Sequence, residues 1–296
     1  MNNMKKMLVV ALALGGLCLS GCVYVRNLSG WSGIMEGGFK FDIGTPAYEE
    51  RGYEVFDTGK GGVLSIDADN IKLNIEGAQV AEVQIDYARQ IWGKNITPAE
   101  AQKAMDEMSL DFEKRNKEVR VSASTGQNLN RGINVSKRLI ALDIKVPVDM
   151  AIVVDSDNGA IAIHNVAGDI NIEVNNAAIE LTRVSGNIEI SSDNGAIRLT
   201  SPSTGNLLLE SDNGVINVSV DELAGDSYNI KTDNGMVNIA LSQEVGADLE
   251  VTVENGRVSA DFPLERKGPT YTGSVGGGGP KIKVSTDNGM VNIEKK

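Results

Sequence analysis

The sequence predicts an all-β fold, a parallel β-solenoid of about eight coils of 18–21 residues with one amphipathic helix in an insertion. Three observations carry this. The string Thr232-Asp233-Asn234-Gly235-Met236-Val237-Asn238-Ile239 recurs letter for letter at Thr286 to Ile293. Looser copies carry Gly at 159, 195, 214 and 256, with Ala177 in its place once, and apolar residues alternate on both sides of that position. The residue just before it is always asparagine.

Aligned on that glycine, successive units are spaced 18, 18, 19, 21, 21 and 33 residues apart. The last spacing is lengthened by an insertion around Lys267 to Gly279. Seven residues before the glycine stand Ile152, Ile170, Ile188, Leu207, Tyr228, Leu249 and Ile282, and five before it another aliphatic column. Two after it come Ile161, Ile179, Ile197, Ile216, Val237, Val258 and Val291, and four after it a similar set. Period-two alternation of β-branched residues means short half-buried strands. A strand pair this short cannot bury its face alone, but stacking successive units in register does. Hairpin meanders at the Asn-Gly turns are the competing arrangement, and they do not require like residues at like offsets.

The asparagines are Asn158, Asn176, Asn194, Asn213, Asn234, Asn255 and Asn288. Parity places them on the inward side, as a structural ladder of amides bonding along a column at a corner. The adjoining glycine is expected to supply positive φ for the bend. An eighth unit lies upstream, where Leu64, Ile66, Ala68, Asn70, Leu73 and Ile75 fit the same offsets with Ile71 in place of glycine. At roughly 4.8 Å per coil the stack is about 35–40 Å long.

Residues 77 to 138 interrupt the repeats. Thr97-Pro98-Ala99-Glu100 reads as a capping-box helix start with proline at its first position. Ala101, Ala104, Met105, Met108 and Phe112 extend helical spacing to about Arg115, so the helical insertion is placed near 97–116. Strands are expected at Gln84 to Gln90 and Glu118 to Ser124, and Leu139 to Val148 leads into the regular repeats. Residues 22–61, rich in glycine and in aromatics such as Trp31, Tyr53 and Phe56, read as a tether and possible cap ahead of a solenoid domain at 62–296.

Compartment follows from the first residues. Lys5 and Lys6 precede the apolar run Met7 to Leu17, the layout of a secretory signal peptide over residues 1–21 and too short to span a bilayer unaided. Leu19-Ser20-Gly21-Cys22 resembles the lipobox of bacterial lipoproteins. The resemblance implies cleavage before Cys22, diacylglycerol on its sulfur and an acyl chain such as palmitate on the new amine. Cys18 is then removed with the signal, and the exported chain has no disulfide and no thiol metal site. Cleavage shifts the net charge from −12 to −14, which suits neither nucleic acid nor anionic lipid as a partner. Val23 follows the cysteine without an inner-membrane retention aspartate, which favours the outer membrane in a two-membrane bacterium.

The S/T-D-N-G repeats, the Ile144-Lys145-Val146-Pro147 run before them and Gly276 to Gly279 before the last unit resemble the DUF4097 group of adhesin-like repeat proteins, over roughly residues 62 to 296. The resemblance implies a β-solenoid at the cell envelope and transfers no catalytic residues. The expected role is a non-catalytic binding, adhesin-like or structural surface, held to the membrane by its lipid and engaging a glycan or envelope protein. A signalling or scaffold component bound to another membrane protein is one alternative, and a calcium-dependent polysaccharide lyase another. No cofactor is expected. The one weighed cation site is the acidic column Asp157, Asp193, Asp212, Asp233 and Asp287, where hard oxygen ligands would stand about 4.8 Å apart. Aspartate is equally a favoured turn residue. His164, the single histidine, falls in a loop after a strand and has no triad or zinc partners in the sequence.

Overall fold

The computed structural model describes residues 24–25, 45–126, 134–200 and 202–296. In chain order the elements are β1 (Tyr24–Val25), β2 (Tyr48–Asp57), β3 (Val63–Ala78), β4 (Glu82–Gly93), α1 (Pro98–Asp106), β5 (Ser109–Arg115), β6 (Glu118–Ser124) and β7 (Val135–Pro147). The repeats follow as β8 (Ala151–His164), β9 (Ile170–Thr182), β10 (Ser185–Thr200), β11 (Ser203–Val220), β12 (Ser227–Leu241) and β13 (Ala247–Ala260), then β14 (Glu265–Lys267), β15 (Thr270–Val275) and β16 (Lys281–Lys295). Among the described residues the protein is mostly β, with long parallel strands and one short helix.

Like residues stack on like. Ile188 pairs with Ile170 on one side and Leu207 on the other, and Asn194 with Asn176 and Asn213. The upstream unit joins the column, with Leu64 opposite Ile152, Asn70 opposite Asn158 and Ile71 opposite Gly159. Each long strand bends once, so it contributes two arms. Arm one runs up to the bend and arm two leaves it. The columns at Ile152, Val154, Ile161 and Ile163 and their counterparts face the space between the arms and are almost wholly buried, apart from partly buried Val258 and Ala260 in β13. Each such side chain contributes about 1.5–3 kcal/mol of burial.

The bend differs from the sequence expectation in two ways. Pairing skips the aspartate position (157, 175, 193, 212) in every layer, and the alternation breaks there. The last inward residue of arm one is therefore Ser156, Ser192, Ser211, Thr232 or Thr286, all buried. The asparagines expected on the inward side are exposed at the outer corner instead, apart from half-buried Asn70. The corner glycines are also needed for space more than for positive φ, which only Gly195 among them adopts. A Cβ on Gly235 would stand 1.9 Å from the Gly214 carbonyl oxygen, and one on Gly289 2.0 Å from that of Gly235. Adjacent corners simply pass too close for a side chain.

Stacking does not follow chain order at the C-terminal end. β16 lies between β12 and β13, parallel to both. After β13 the chain reverses through the antiparallel β14–β15 hairpin, which covers Ala247 to Thr252, and then drops back into the open slot. The four glycines Gly276 to Gly279 make this return, with φ of 60°, 91°, 87° and 159°. The two identical octapeptides, 54 residues apart in sequence, become direct neighbours. Glu294 to Lys296 thus lie beside an interior layer, and the Lys296 backbone N–H donates to Leu241 O.

At the other end β3 divides its pairing. Its first half pairs with β6 and its second half with β7. β5 extends the arm-one side, while β4, β2 and β1 extend the arm-two side, all antiparallel. Thr97 and Glu100 form the reciprocal capping box as expected, and α1 buries Ala101, Ala104 and Met105 against β4 and β7. The helix stops at Asp106 instead of continuing to Arg115. Beyond it Leu110 and Phe112 share one half-buried strand face while Ser109, Asp111 and Glu113 are exposed, a period of two. The Phe112 ring lies 5.3 Å from Tyr87 and 6.3 Å from Phe56, closing the gap between the two sides. Within residues 22–61, read as a tether and possible cap, Tyr48–Asp57 form a sheet strand.

Candidate functional site

The outward residues of the stack form rows that cross every layer, and these rows are the candidate site. The asparagine corner is continuous from Asn158 to Asn255. Asn176 donates to Asn158 at 3.2 Å, Asn194 to Asn176 at 3.1 Å, Asn213 to Asn194 at 3.2 Å and Asn234 to Asn213 at 3.2 Å. Asn288, inserted out of chain order, donates to Asn234 at 3.1 Å and receives from Asn255 at 3.3 Å. Asn70 leaves the column and donates to Thr125 Oγ1 at 2.9 Å. Each amide uses one donor and one acceptor along the column, so the ladder fixes register.

Arm one presents acids. Asp155, Glu173 and Glu210 stand in one outer row, and Asp157, Asp193, Asp212, Asp233, Asp287 and Glu254 in the next. Asn175 interrupts the second row and donates to Asp157 at 3.0 Å. Lys231 lies 3.4 Å from Asp233, and this carboxylate, with Glu210 and Asp287 beyond it, holds the Lys231 ammonium above the ordinary lysine range. The acids run as a line at strand spacing instead of converging. Among the described residues no group of three or more His, Cys, Asp or Glu side chains is placed to hold a metal ion.

Arm two presents small, apolar and amide groups. One outer row reads Ala88, Ala141, Lys72, Ala160, Ala178, Ala196, Val215, Met236, Met290 and Arg257 across the sheet. The next holds a second amide ladder that sequence reasoning missed, with Asn238 donating to Asn217 at 2.9 Å and Asn292 to Asn238 at 2.8 Å. Its signal was present, since the same offset carries asparagine in three units that prove to be adjacent only after the strand insertion. Glu180 and Ala162 in this row are buried by their neighbours. His164 is half-buried beside them, and burial lowers its pKa against the opposing pull of Glu180. At the extended end Asp143 faces Asp86 across the strands; burial raises its pKa, while Asn74, donating at 3.2 Å, partly offsets this.

An open cleft of about 660 Å³ lies at the far end, between Asp248 to Glu250 of β13 and the β14–β15 hairpin. Asp248 accepts from Ser274 at 2.6 Å, and Lys281 bonds Glu250 at 2.9 Å and holds its carboxyl below the ordinary range. These partners satisfy one another. Cys22, the predicted lipid site, lies outside the described residues.

Parallel units stacked in register, with an asparagine corner, define a strand-repeat protein. Residues 151–294 match the family model described as Toastrack DUF4097, and over these residues the chain is similar to that family. Comparison with curated proteins gives no match. Among solved structures the chain is similar to a candidate cell adhesion protein from Clostridium sporogenes, at 12% identity and a TM-score of 0.40, covering 84% of this chain and 100% of that one. It is also similar to a candidate adhesin from Bacteroides fragilis, at 11% identity and a TM-score of 0.34, covering 83% and 97%. A candidate lipid-binding protein from Parabacteroides distasonis matches at 8% identity and a TM-score of 0.22, covering 83% and 96%.

Proposed function

We propose that this chain is a lipid-anchored envelope protein whose repeats form a β-solenoid of eight coils, β3, β8 to β12, β16 and β13, and present a non-catalytic, adhesin-like binding surface. The observation that carries the reading is the outer face of arm two, where small, apolar and amide side chains predominate and charges are few (Lys72, Glu180, Arg198 and Arg257), beside an acidic arm one. Interface centres are depleted in charge and enriched in methionine and other apolar groups. The partner class is an envelope protein or a neutral glycan. Acylation at Cys22 fixes the surface to the membrane, since two or more chains give stable attachment where one does not. An outer-membrane location suits the residue after the cysteine.

Two measurements test this. Metabolic labelling with an alkyne fatty acid labels the wild type and not Cys22→Ser, which is released in soluble form with an unchanged unfolding midpoint. Crosslinking in intact cells, with glycan arrays on the purified stack, recovers one partner. Unlabelled wild type contradicts the anchor, and calcium-dependent release of unsaturated uronate from a polysaccharide contradicts the non-catalytic role.

A further inference from the structure

We propose that the β2 end of the molecule lies on the membrane surface and that the acidic repeats project away from it. This rests on the reading of Cys22 as the lipid site and adds an orientation to it. Only Val23 separates Cys22 from β1, and β1 pairs antiparallel with β2, Tyr24 opposite Arg51 and Val25 opposite Glu50. Two residues reach at most about 7 Å. The acyl chains therefore enter the bilayer beside the β2 edge.

The surface there fits a lipid interface. Of the large apolar side chains left exposed, Tyr53 (45%) and Val55 (42%) both lie on the outer face of β2. Tyrosine places an apolar ring with a polar tip at headgroup depth. Exposed Lys60, Lys114 and Lys117 gather where β2 ends, Lys114 donating to the Asp57 carbonyl and Lys117 to that of Lys60 at 2.8 Å. Cations in this position attract anionic headgroups. Charge is graded along the molecule in the same sense. Residues 45–150 carry 14 basic and 17 acidic side chains, whereas residues 151–296 carry 10 and 21. An anionic bilayer repels the second region, at net −11, more strongly than the first, at net −3.

The acylated full chain, in vesicles of phosphatidylcholine and phosphatidylglycerol with headgroup spin labels, tests the orientation. Cys22 is blocked by its lipid, so Tyr53→Cys, Val55→Cys and, at the far end, Ser259→Cys each offer one thiol for a fluorophore. The orientation predicts several-fold stronger quenching at 53 and 55 than at 259. Vesicle flotation with equal quenching at all three sites overturns the orientation and leaves the anchor standing. Loss of flotation, with no acyl mass on Cys22, overturns both.

Discussion

The two arms of each strand share one core and differ in what they show to water. Inside, both are columns of isoleucine, valine and leucine at near-zero exposure. Outside, arm one is lined with carboxylates at every layer, and arm two mainly with alanine, methionine, asparagine and threonine, with Lys72, Glu180, Arg198 and Arg257 as charged exceptions. Nothing in strand geometry demands this, since either outer face tolerates charge. Stacked carboxylates repel and favour solvent over any partner, whereas amide ladders use their hydrogen bonds along the stack and leave a flat surface that is cheap to desolvate. On the proposed function, this asymmetry leaves solubility to arm one and contact to arm two.

The shared core should fail equally from either side. Leu209→Ala in arm one and Ile216→Ala in arm two are each expected to cost about 2–5 kcal/mol, read as a drop in urea midpoint. A large cost in one arm alone would mean that the arms do not form a common core. The corner separates structural from surface polar groups. Asn213→Ala removes a donated and an accepted bond and should cost about 1–2 kcal/mol, whereas neighbouring Asp212→Asn should be neutral or slightly stabilising, with its gain fading in high salt. Equal costs would deny the ladder its role in register.

Smaller effects sharpen the comparison. Thr232 Oγ1 is buried without a hydrogen-bond partner, and the equivalent positions in two other layers are Val174 and Val253. Thr232→Val should stabilise by roughly 1 kcal/mol, since it removes an unsatisfied hydroxyl at nearly constant shape. The smallest effect is the pH dependence of Asp143. Its carboxyl is raised chiefly by burial, so its ionised form is less stable in the fold than in the unfolded chain, and its contribution to stability is lost as pH rises through the folded pKa. Asp143→Asn should therefore raise the unfolding midpoint near neutral pH, with the gain vanishing below the ordinary carboxylate range.

Much of this was legible in the sequence. The offsets named the core columns, the upstream unit and every corner asparagine, because in-register stacking writes each contact as a repeated letter. Two kinds of feature were not. The side on which Asn194 and its counterparts lie depends on where alternation breaks, and the unpaired aspartate moved that break ahead of the glycine. The placement of β16 is a long-range choice that identical repeats leave degenerate, since Thr286 to Ile293 fits equally well at the end of the stack or one layer inside it. The false helical extension to Arg115 arose because Met108 and Phe112 satisfy a four-residue spacing while belonging to a cap and a strand. The candidate face itself was visible only as scattered alanines and asparagines until the register aligned them.

The most direct test is site-resolved photo-crosslinking in intact cells, with a benzophenone amino acid replacing Ala196 or Val215 on arm two, or Ser191 or Glu210 on arm one, in the lipidated chain. Arm-two positions are expected to give one discrete adduct and arm-one positions none. Adducts confined to arm one, or absent from both arms, would contradict the assignment of arm two as the contact surface.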